Sequence, residues 1–293
     1  MPELPEVETV RRGLERLIIN KIVKAEQHDW PKGFPNAEND VAVFLKGATI
    51  TDVRRRAKVL MIDLSTDYSL VVHLKMTGQL VYVNPKDHER FGAGHPNDSL
   101  INQLPDKSTR VTLSFTDGSA LYFNDQRKFG WMRLMPTIEI PNIDFMQKVG
   151  PEPLSDEFTP QEFIQRIGRR KNSVIKAALL DQTVLAGIGN IYADESLWGA
   201  KIHPSTLVKN VSDTKLATLF HEIQYVLALS IEKGGSTDRN YVNAEGKRGS
   251  YIDFARVFRR EGQPCPRCGT IIIKTRVAGR GTHICEKCQK VVE

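Results

Sequence analysis

Residues 265–288 read CPRCGTIIIKTRVAGRGTHICEKC, and this stretch decides the fold at the C-terminal end of the chain. All four cysteines of the protein lie in it, as two Cys-x-x-Cys pairs: Cys265 with Cys268, and Cys285 with Cys288. Two tight turns that each present two thiolates match a tetrahedral zinc site. Four protein ligands leave no open position on the metal, so the sequence predicts one structural zinc ion. Two disulfides are the alternative, and they fit poorly because nothing indicates export.

The region around these cysteines is strongly basic. Residues 255–290 contain nine Lys or Arg and two acidic residues, a net charge of +7, whereas the whole 293-residue chain carries +6. A basic module favours a polyanionic partner, with DNA or RNA first. A basic face that is merely solvated is the alternative, and charge alone does not decide between the two.

The whole chain has the composition of a soluble globular protein, with 40% hydrophobic and 26% charged residues. No apolar run reaches the ~18 residues that a membrane-spanning helix needs. The first ten residues, MPELPEVETV, are acidic where a secretory signal would be basic and then apolar. We therefore expect a cytoplasmic protein without a membrane partner.

Upstream of the cysteines, the chain begins with a β-rich part. Apolar residues at three- and four-residue steps predict an amphipathic helix over residues 4–18. Short β-rich runs follow at 59–64, 69–74, 80–83, 110–115 and 120–123. Residues 90–107 are rich in Gly, Pro, Asn and Asp, which predicts a long surface loop. Residues 1–135 are therefore expected to form an antiparallel β-sandwich domain that carries an N-terminal helix.

The second part of the chain has helical patterns. Residues 136–159 contain several prolines and predict a linker. Helical patterns then follow at 160–167, 173–180, 190–199 and 213–232. Residues 160–250 are expected to form a helical domain, and residues 251–293 a zinc-finger β-hairpin. The predicted fold class is α+β.

Five segments, in order along the chain, carry a resemblance to a known family. They read MPELPEVETVRRG at 1–13, RRRAKVL at 54–60, NDQRKFG at 124–130, AGIGNIYADESL at 186–197, and GGST at 234–237, followed by YVNAEG and the cysteine stretch. Together they resemble the formamidopyrimidine-DNA glycosylases over almost the whole chain. The resemblance implies a base-excision repair enzyme that removes 8-oxoguanine and formamidopyrimidines from duplex DNA. It also implies a lyase that cuts the strand at the abasic site by β,δ-elimination.

The resemblance places the chemistry at the N-terminus. Removal of Met1 would leave Pro2 with a secondary α-amine, which titrates near ~8 and is partly unprotonated at neutral pH. In the family this amine attacks the sugar and forms a Schiff base, while the carboxyl of Glu3 protonates the ring oxygen. By the same resemblance, Lys58 assists base release and Arg280 assists the second elimination. Pro2 and Glu3 are also typical of an ordinary helix start.

A second set of residues contacts DNA by resemblance. Enzymes that act on a base flip it out of the stack, and wedge side chains fill the gap. The resemblance assigns this task to Met76, Arg127 and Phe129, although the pattern alone fits core packing of Met76 and Phe129. Further contacts with the DNA backbone are expected from His73, Ser108, Lys171 and Asn190. Ser108 stands where the family often has a histidine, so this contact would carry no charge.

Two glycine-containing segments complete the expected DNA-binding surface. The turn at 187–190 leads into a helix and, with the helix predicted at 173–180, resembles a helix-two-turn-helix motif. Backbone N–H groups at such a helix start bind phosphate, and a simple N-cap at Asn190 is the alternative. By resemblance, the segment 234–246 recognises 8-oxoguanine. An ordinary connection between domains is the alternative there.

Two other functions stay open. An endonuclease VIII-like glycosylase for oxidised pyrimidines would use the same chemistry, although Leu4 favours the formamidopyrimidine branch. A non-catalytic zinc-containing DNA-binding protein would keep the fold, and Pro2 and Lys58 argue against it. We expect a monomer, associated with the nucleoid in the cytoplasm, that acts on double-stranded DNA containing oxidised bases or abasic sites.

Overall fold

The chain forms two compact units. The structure is a computed structural model, and it describes residues 2–86, 89–95, 97–236 and 251–292. The first unit comprises Met1–Gln147 and Lys233–Ser250, and the second comprises Lys148–Glu232 and Tyr251–Glu293. The boundary after Gln147 lies inside the segment 136–159 that the sequence predicts as a linker.

The first unit begins with helix α1, which spans Leu4–Ile18 as the sequence predicts. Its apolar stripe is fully buried, since Leu4, Val7 and Val10 are each 0% exposed. The Glu6 carboxylate accepts a hydrogen bond from the backbone N–H of Glu3 at 2.8 Å, the reciprocal contact of a capping box. Reciprocal hydrogen bonds between Glu3 and Glu6 therefore fix the start of the helix.

Nine strands, counted over the described residues, follow in the first unit. They are β1 (Val23–His28), β2 (Ile50–Arg56), β3 (Val59–Leu64), β4 (Tyr68–His73), β5 (Gly78–Asn84), β6 (Glu89–Gly94), β7 (Thr109–Phe115), β8 (Ala120–Asp125) and β9 (Trp131–Pro136). One sheet has the order β1-β7-β8-β5-β6 and the other β2-β3-β4-β9. All neighbouring strands are antiparallel. The short helix α2 (Glu38–Asp40) and a π-helical turn (Val41–Leu45) precede β2.

One apolar core joins α1 to both sheets. Leu60 and Ile62 of β3, Leu80 and Tyr82 of β5, and Leu14 of α1 belong to the same buried cluster. These strand residues are two positions apart, so they point to one face of their sheet. The predicted antiparallel β-sandwich with an N-terminal helix is confirmed.

The prediction of a surface loop at 90–107 is wrong over the first part of that range. Strand β6 pairs with β5, and a 3-10 turn follows at Asp98–Leu100. Phe91 and Leu100 are 2% and 4% exposed. The strand reads ERFGAG, and its small and charged residues hide the apolar alternation that marks a half-buried strand. Pairing with β5 and packing of Phe91 against α1 decide its conformation.

Part of the predicted linker packs on the first unit. A 3-10 helix spans Thr137–Asn142, and helix α3 spans Asp144–Lys148. Ile140 is 4% exposed and shares a cluster with Val59 and Val71 of the four-stranded sheet. These residues are therefore ordered by apolar contact in spite of their prolines.

The second unit contains the four predicted helices. They are α4 (Pro160–Gly168), α5 (Ile175–Leu180), α6 (Asn190–Gly199) and α7 (Asp213–Glu232). Thr159 caps α4 by accepting the N–H of Glu162 at 3.2 Å, and Pro160 occupies the first turn. Phe163, Tyr192 and Leu227 are fully buried in a common core. Of the described helices, none is both long and apolar enough to cross a bilayer.

The second unit ends in the predicted hairpin. Strands β10 (Ile273–Val277) and β11 (Arg280–Ile284) pair in antiparallel register. The two residues between them, Ala278 and Gly279, have φ of 50° and 74°. Two successive positive φ values match a type I′ turn, whose twist suits a β-hairpin. This turn places Arg280 at the first position of β11.

Candidate active site

The N-terminal end of α1 holds the two residues expected to perform the chemistry. Pro2 and Glu3 are both buried, and Glu3 is 3% exposed. Glu3 occupies the N-cap position, with φ −100° and ψ −173°. Pro2, which would present a secondary amine once Met1 is removed, and the carboxyl group of Glu3 therefore lie in succession at a fixed helix start. Met1 lies outside the described residues.

Glu6 connects this helix start to a distant segment of the chain. One of its oxygens accepts the N–H of Glu3, as above. The other, Oε1, accepts the backbone N–H of Ser236 at 2.7 Å and its hydroxyl at 2.8 Å. Gly235 allows this approach, because it has φ of 89° and a Cβ there would lie 3.2 Å from Oε1. The remainder of the expected lesion-recognition segment, 237–246, lies outside the described residues.

Lys58 lies in the tight turn between β2 and β3 and is 6% exposed. Ala57 before it has φ of 53°, in the left-handed region. Arg55 supports this turn: its Nε donates to Glu8 of α1 at 2.9 Å, and its Nη1 donates to the Ala57 carbonyl at 2.9 Å. Arg55 thus links the turn that carries Lys58 to α1, the helix that begins two residues after Pro2.

Glu8 is ionised in this arrangement. Burial alone would raise the pKa of Glu8, but hydrogen bonds from Arg55 and Arg12 and the nearby positive charges outweigh burial and lower it. Arg55, in the segment RRRAKVL, therefore holds the turn that carries Lys58 against α1.

His73, at the end of β4, is half-buried and uncharged. Burial, reinforced by the positive charges of Lys75 and Lys58, lowers the pKa of His73 to about 3. Its Nδ1 accepts the backbone N–H of Lys75 at 3.0 Å. The ring proton therefore lies on Nε2. His73 can offer a phosphate a neutral N–H donor but no positive charge.

The three expected wedge residues lie on two loops of the first unit. Met76 is half-buried between β4 and β5, while Arg127 and Phe129 lie between β8 and β9. Phe129 is 53% exposed, which excludes core packing for this side chain. The Arg127 guanidinium carbon lies 4.8 Å from the centre of the Phe129 ring. These two side chains form one exposed, cationic surface.

Asp125 holds these loops in place, and sequence reasoning missed it. It is 0% exposed and accepts hydrogen bonds from the N–H groups of Arg127 at 3.2 Å and Gly130 at 2.6 Å. It also accepts the hydroxyl of Thr77, the residue after Met76. Thr77 in turn accepts the Arg127 N–H at 3.1 Å. Asp125 lies within the motif NDQRKFG, so its position in that motif was the available signal.

Ser108 does not present its hydroxyl to solvent. The residue is 2% exposed, and its Oγ donates to Asp106 at 2.7 Å and lies 2.8 Å from Oγ of Ser99. The Ser108 hydroxyl thus both donates and accepts a hydrogen bond within the protein. This placement argues against the expected DNA contact by Ser108.

In the second unit, two residues expected to contact the DNA backbone and the expected catalytic residue Arg280 occupy different elements. Lys171 is exposed in the turn before α5, Asn190 begins α6, and Arg280 begins β11 and is exposed. The Asn190 amide donates to the Gly281 carbonyl at 3.0 Å. Asn190 and Arg280 are therefore brought together at the hairpin, and Gly187, with φ of 79°, makes the turn into α6.

A buried ion pair fixes the hairpin against the helices. Nζ of Lys176 in α5 lies 2.6 Å from Asp194 of α6 and 2.7 Å from the hydroxyl of Thr282 in β11. The other oxygen of Asp194 accepts the N–H of His283 at 2.9 Å. Lys176 and Asp194 are 0% exposed. The sequence did not single out these residues, although Asp194 lies in the motif AGIGNIYADESL.

The four cysteines form one cluster. The sulfur of Cys268 lies 3.4 Å from that of Cys285 and 3.5 Å from that of Cys288, while Cys265 and Cys288 are 3.9 Å apart. All four ligand atoms lie within 4.8 Å of one another. Zn–S bonds of about 2.3 Å in a tetrahedron separate the sulfurs by about 3.8 Å, whereas a disulfide needs about 2 Å. The cluster fits one structural zinc ion and excludes two disulfides.

Family models match almost the entire chain. The formamidopyrimidine-DNA glycosylase N-terminal domain matches residues 1–132, and the H2TH domain of the same enzymes matches 149–241. The zinc finger found in FPG and IleRS matches 262–291. The chain belongs to the formamidopyrimidine-DNA glycosylase family. The expected zinc finger and helix-two-turn-helix domain are thereby confirmed.

Individual members of the family are similar to this chain along almost their full length. The formamidopyrimidine-DNA glycosylase of Ligilactobacillus salivarius is 42% identical over 292 residues, 99% of each chain. Fpg of Lactococcus lactis in complex with DNA containing an abasic site has a TM-score of 0.86 at 34% identity, covering 98% of this chain and 99% of that one. The wild-type L. lactis protein with DNA containing N7-benzyl-Fapy-dG has a TM-score of 0.85 at 33% identity, covering 99% and 100%.

Proposed function

We propose that this protein is a base-excision repair enzyme that removes 8-oxoguanine and formamidopyrimidines from duplex DNA and then cuts the strand at the abasic site. The observation that carries the proposal is Pro2 next to the buried carboxyl of Glu3, at the fixed start of α1. Membership of the family along the whole chain supports it. The relatives of known structure bind DNA that contains an abasic site or a modified Fapy-dG.

The first chemical step joins the protein to the damaged nucleotide. Once Met1 is removed, the amine of Pro2 attacks C1′ of the sugar. The base leaves with the electrons of its bond to C1′ and takes up the proton that the amine nitrogen loses. Glu3 protonates the ring oxygen, so the sugar opens and a cationic Schiff base links Pro2 to C1′. Lys58 assists departure of the base.

Strand cleavage follows from the charge on the Schiff base. The positive nitrogen acidifies the C2′ proton, and its loss expels the 3′ phosphate in β-elimination. A second proton loss expels the 5′ phosphate in δ-elimination, in which Arg280 stabilises the departing phosphate. Water then hydrolyses the Schiff base and restores the amine of Pro2.

DNA contacts come from residues of both units. The space left by the flipped nucleotide is filled by Met76, Arg127 and Phe129. The exposed side chain of Phe129 is free to enter the DNA stack. Phosphates are bound by Lys171, Asn190 and Arg280 through charge or amide N–H, and by His73 through a neutral N–H. We leave Ser108 out of this set. The enzyme acts as a monomer in the cytoplasm, in association with the nucleoid.

Reductive trapping tests the mechanism. The untagged protein is incubated with borohydride and a duplex that contains 8-oxoguanine, and the adduct is mapped by mass spectrometry. We expect one covalent adduct at Pro2 that is lost when Glu3→Gln slows base release. An adduct at any other amine, or none with wild type, would overturn the Schiff-base mechanism. An N-terminal tag is avoided because it blocks the amine.

A lesion panel separates the proposal from its alternatives. Duplexes that contain 8-oxoguanine, thymine glycol or a preformed abasic site are cleaved in parallel. We expect 8-oxoguanine to be cleaved faster than thymine glycol, because the proposal assigns the enzyme to oxidised purines. The opposite order would indicate an endonuclease VIII-like enzyme. Tight binding without cleavage of any duplex would indicate a DNA-binding protein without catalysis.

A further inference from the structure

Left-handed backbone marks several candidate site residues. Among the described residues, eight non-glycine residues have positive φ. Four of them adjoin candidate site residues: Ala57 beside Lys58, Lys75 beside Met76, Lys128 between Arg127 and Phe129, and Ala278 two residues before Arg280. Such conformations persist where the surrounding structure enforces them, and they concentrate at functional positions. Arg259 has φ of 57° and no role so far.

Arg259 lines a polar cleft in the second unit. The cleft has a volume of about 430 Å³, and Asn190, Gly281 and Lys274 also line it. Arg259 is exposed, and its guanidinium carbon lies 5.8 Å from the centre of the Phe258 ring. Gly281 follows Arg280 directly and accepts the Asn190 amide. The cleft therefore adjoins two of the proposed phosphate ligands.

The described residues that line this cleft include more basic than acidic side chains. Glu261, the acid among them, lies 3.6 Å from Nζ of Lys274 and 2.8 Å from Nε2 of His283. The hydrogen bond to His283 comes first among the influences that lower the pKa of Glu261, so its carboxylate is ionised and held. Of the lining residues, Arg259 and Lys274 are cationic and Glu261 is anionic.

We propose that Arg259 binds a backbone phosphate adjacent to the one held by Asn190 and Arg280, and so extends the DNA-binding surface of the zinc-bearing unit. The inference rests on the proposed function. A guanidinium group binds phosphate oxygens in pairs and stays charged at all physiological pH values. Its place on an open cleft beside the hairpin gives a phosphodiester direct access.

The backbone of Arg259 offers a variant that separates binding from folding. At φ of 57° an arginine is strained, and glycine adopts this conformation without strain. Arg259→Gly therefore removes the cation and keeps or improves the fold. If Arg259 had only a structural role, this variant would leave DNA binding unchanged.

The experiment measures affinity for a duplex that contains tetrahydrofuran, an abasic analogue that cannot be cleaved, between 50 and 200 mM KCl. Wild type is compared with Arg259→Gly, Arg259→Lys and the control Lys290→Gln, which removes an exposed cation outside the cleft. We expect Arg259→Gly to bind more weakly and to reduce the slope of log affinity against log salt by about 0.9, the value for one phosphate. Between 50 and 200 mM KCl, the ratio of wild-type affinity to Arg259→Gly affinity should therefore fall by about threefold.

The variants together decide the outcome. Arg259→Lys should keep the wild-type slope at reduced affinity, Lys290→Gln should behave as wild type, and the Tm of Arg259→Gly should be equal or higher. A wild-type slope for Arg259→Gly would overturn this inference. That result would leave the proposed function intact if the wild-type protein forms the covalent adduct at Pro2. If the wild-type protein forms no such adduct, the proposed function itself is overturned.

Discussion

Gly13 of α1 leaves no room for a side chain. A Cβ at this position would lie 2.0 Å from Cζ of Phe91, which is itself 2% exposed. Gly13→Ala therefore forces Phe91 or the helix to move, and we expect a loss of about 1–3 kcal/mol in the free energy of unfolding. Urea unfolding at neutral pH measures this loss.

Gly168 is the matched control for this substitution. It ends α4, and a Cβ there meets no atom within 4 Å. Gly168→Ala should be neutral or stabilising by up to about 1 kcal/mol, because alanine favours the helix. Equal effects of the two substitutions would show that helix propensity, and not the contact with Phe91, governs Gly13.

His73 makes the stability of the first unit depend on pH. Its pKa of about 3 lies below the ordinary histidine value of 6.5, so between these values the unfolded chain binds a proton that the folded protein does not. The contribution of neutral His73 to stability is present above pH 6.5 and is lost as the pH falls from 6.5 towards 3. Between these values it changes by up to about 1.4 kcal/mol per pH unit.

Replacement of His73 tests this dependence. We expect His73→Asn to lose less stability than wild type between pH 7 and pH 4.5, measured by urea unfolding at each pH. Parallel losses in the two proteins would show that His73 is not neutral through this range. The same variant should keep the salt dependence of DNA binding, since no charge is removed at pH 7.

At the scale of an element, the β8–β9 loop depends on Asp125. Its carboxylate accepts two backbone N–H groups and one hydroxyl. Asp125→Asn replaces one acceptor oxygen by a donor, so we expect a loss of about 1–3 kcal/mol in stability. We also expect weaker binding of lesion DNA, because Arg127 and Phe129 lose their fixed geometry.

Asp117 provides the control for this loop. It caps the β7–β8 turn by accepting the N–H of Ser119 at 2.9 Å, away from the wedge residues. Asp117→Asn should lower stability and leave affinity for lesion DNA unchanged. If both variants weakened binding in proportion to stability, Asp125 would have no specific effect on the wedge.

The pairing of α5 and α6 with the hairpin depends on the buried ion pair of Lys176 and Asp194. Lys176→Met leaves the Asp194 carboxylate without this cation at 0% exposure, which should cost about 3–5 kcal/mol. The double variant with Asp194→Leu removes the isolated charge and should regain part of that stability. Thermal unfolding of wild type, Lys176→Met and the double variant measures these stabilities. A double variant no more stable than Lys176→Met would contradict the cost of leaving the Asp194 charge unpaired.

At the scale of the whole molecule, each unit has its own apolar core. Cys265→Ser should release zinc and disorder the hairpin that carries Arg280, because metal-binding energy is folding energy in so small a module. The first unit should stay folded, as judged by its separate unfolding transition. DNA affinity should fall at least tenfold, and full affinity after verified zinc loss would contradict the role of the hairpin.

The sequence alone determined the features that depend on local spacing and chemistry. The limits of α1 follow from its apolar repeat, and the zinc site from two Cys-x-x-Cys pairs. The residues expected to perform the chemistry, Pro2, Glu3 and Lys58, follow from short motifs that resemble a known family. In each case residues close in sequence carry the whole signal.

The tertiary structure decided features that depend on partners far along the chain. Glu6 and Ser236 are 230 positions apart, and no local pattern predicts their hydrogen bonds. The neutral state of His73 and the enclosure of Ser108 result from burial, which only the folded chain defines. Strand β6 needs β5 as a partner, and Arg55 links the Lys58 turn to Glu8 of α1. Desolvation and long-range pairing act only once distant residues meet, so the sequence could name these residues but not their surroundings.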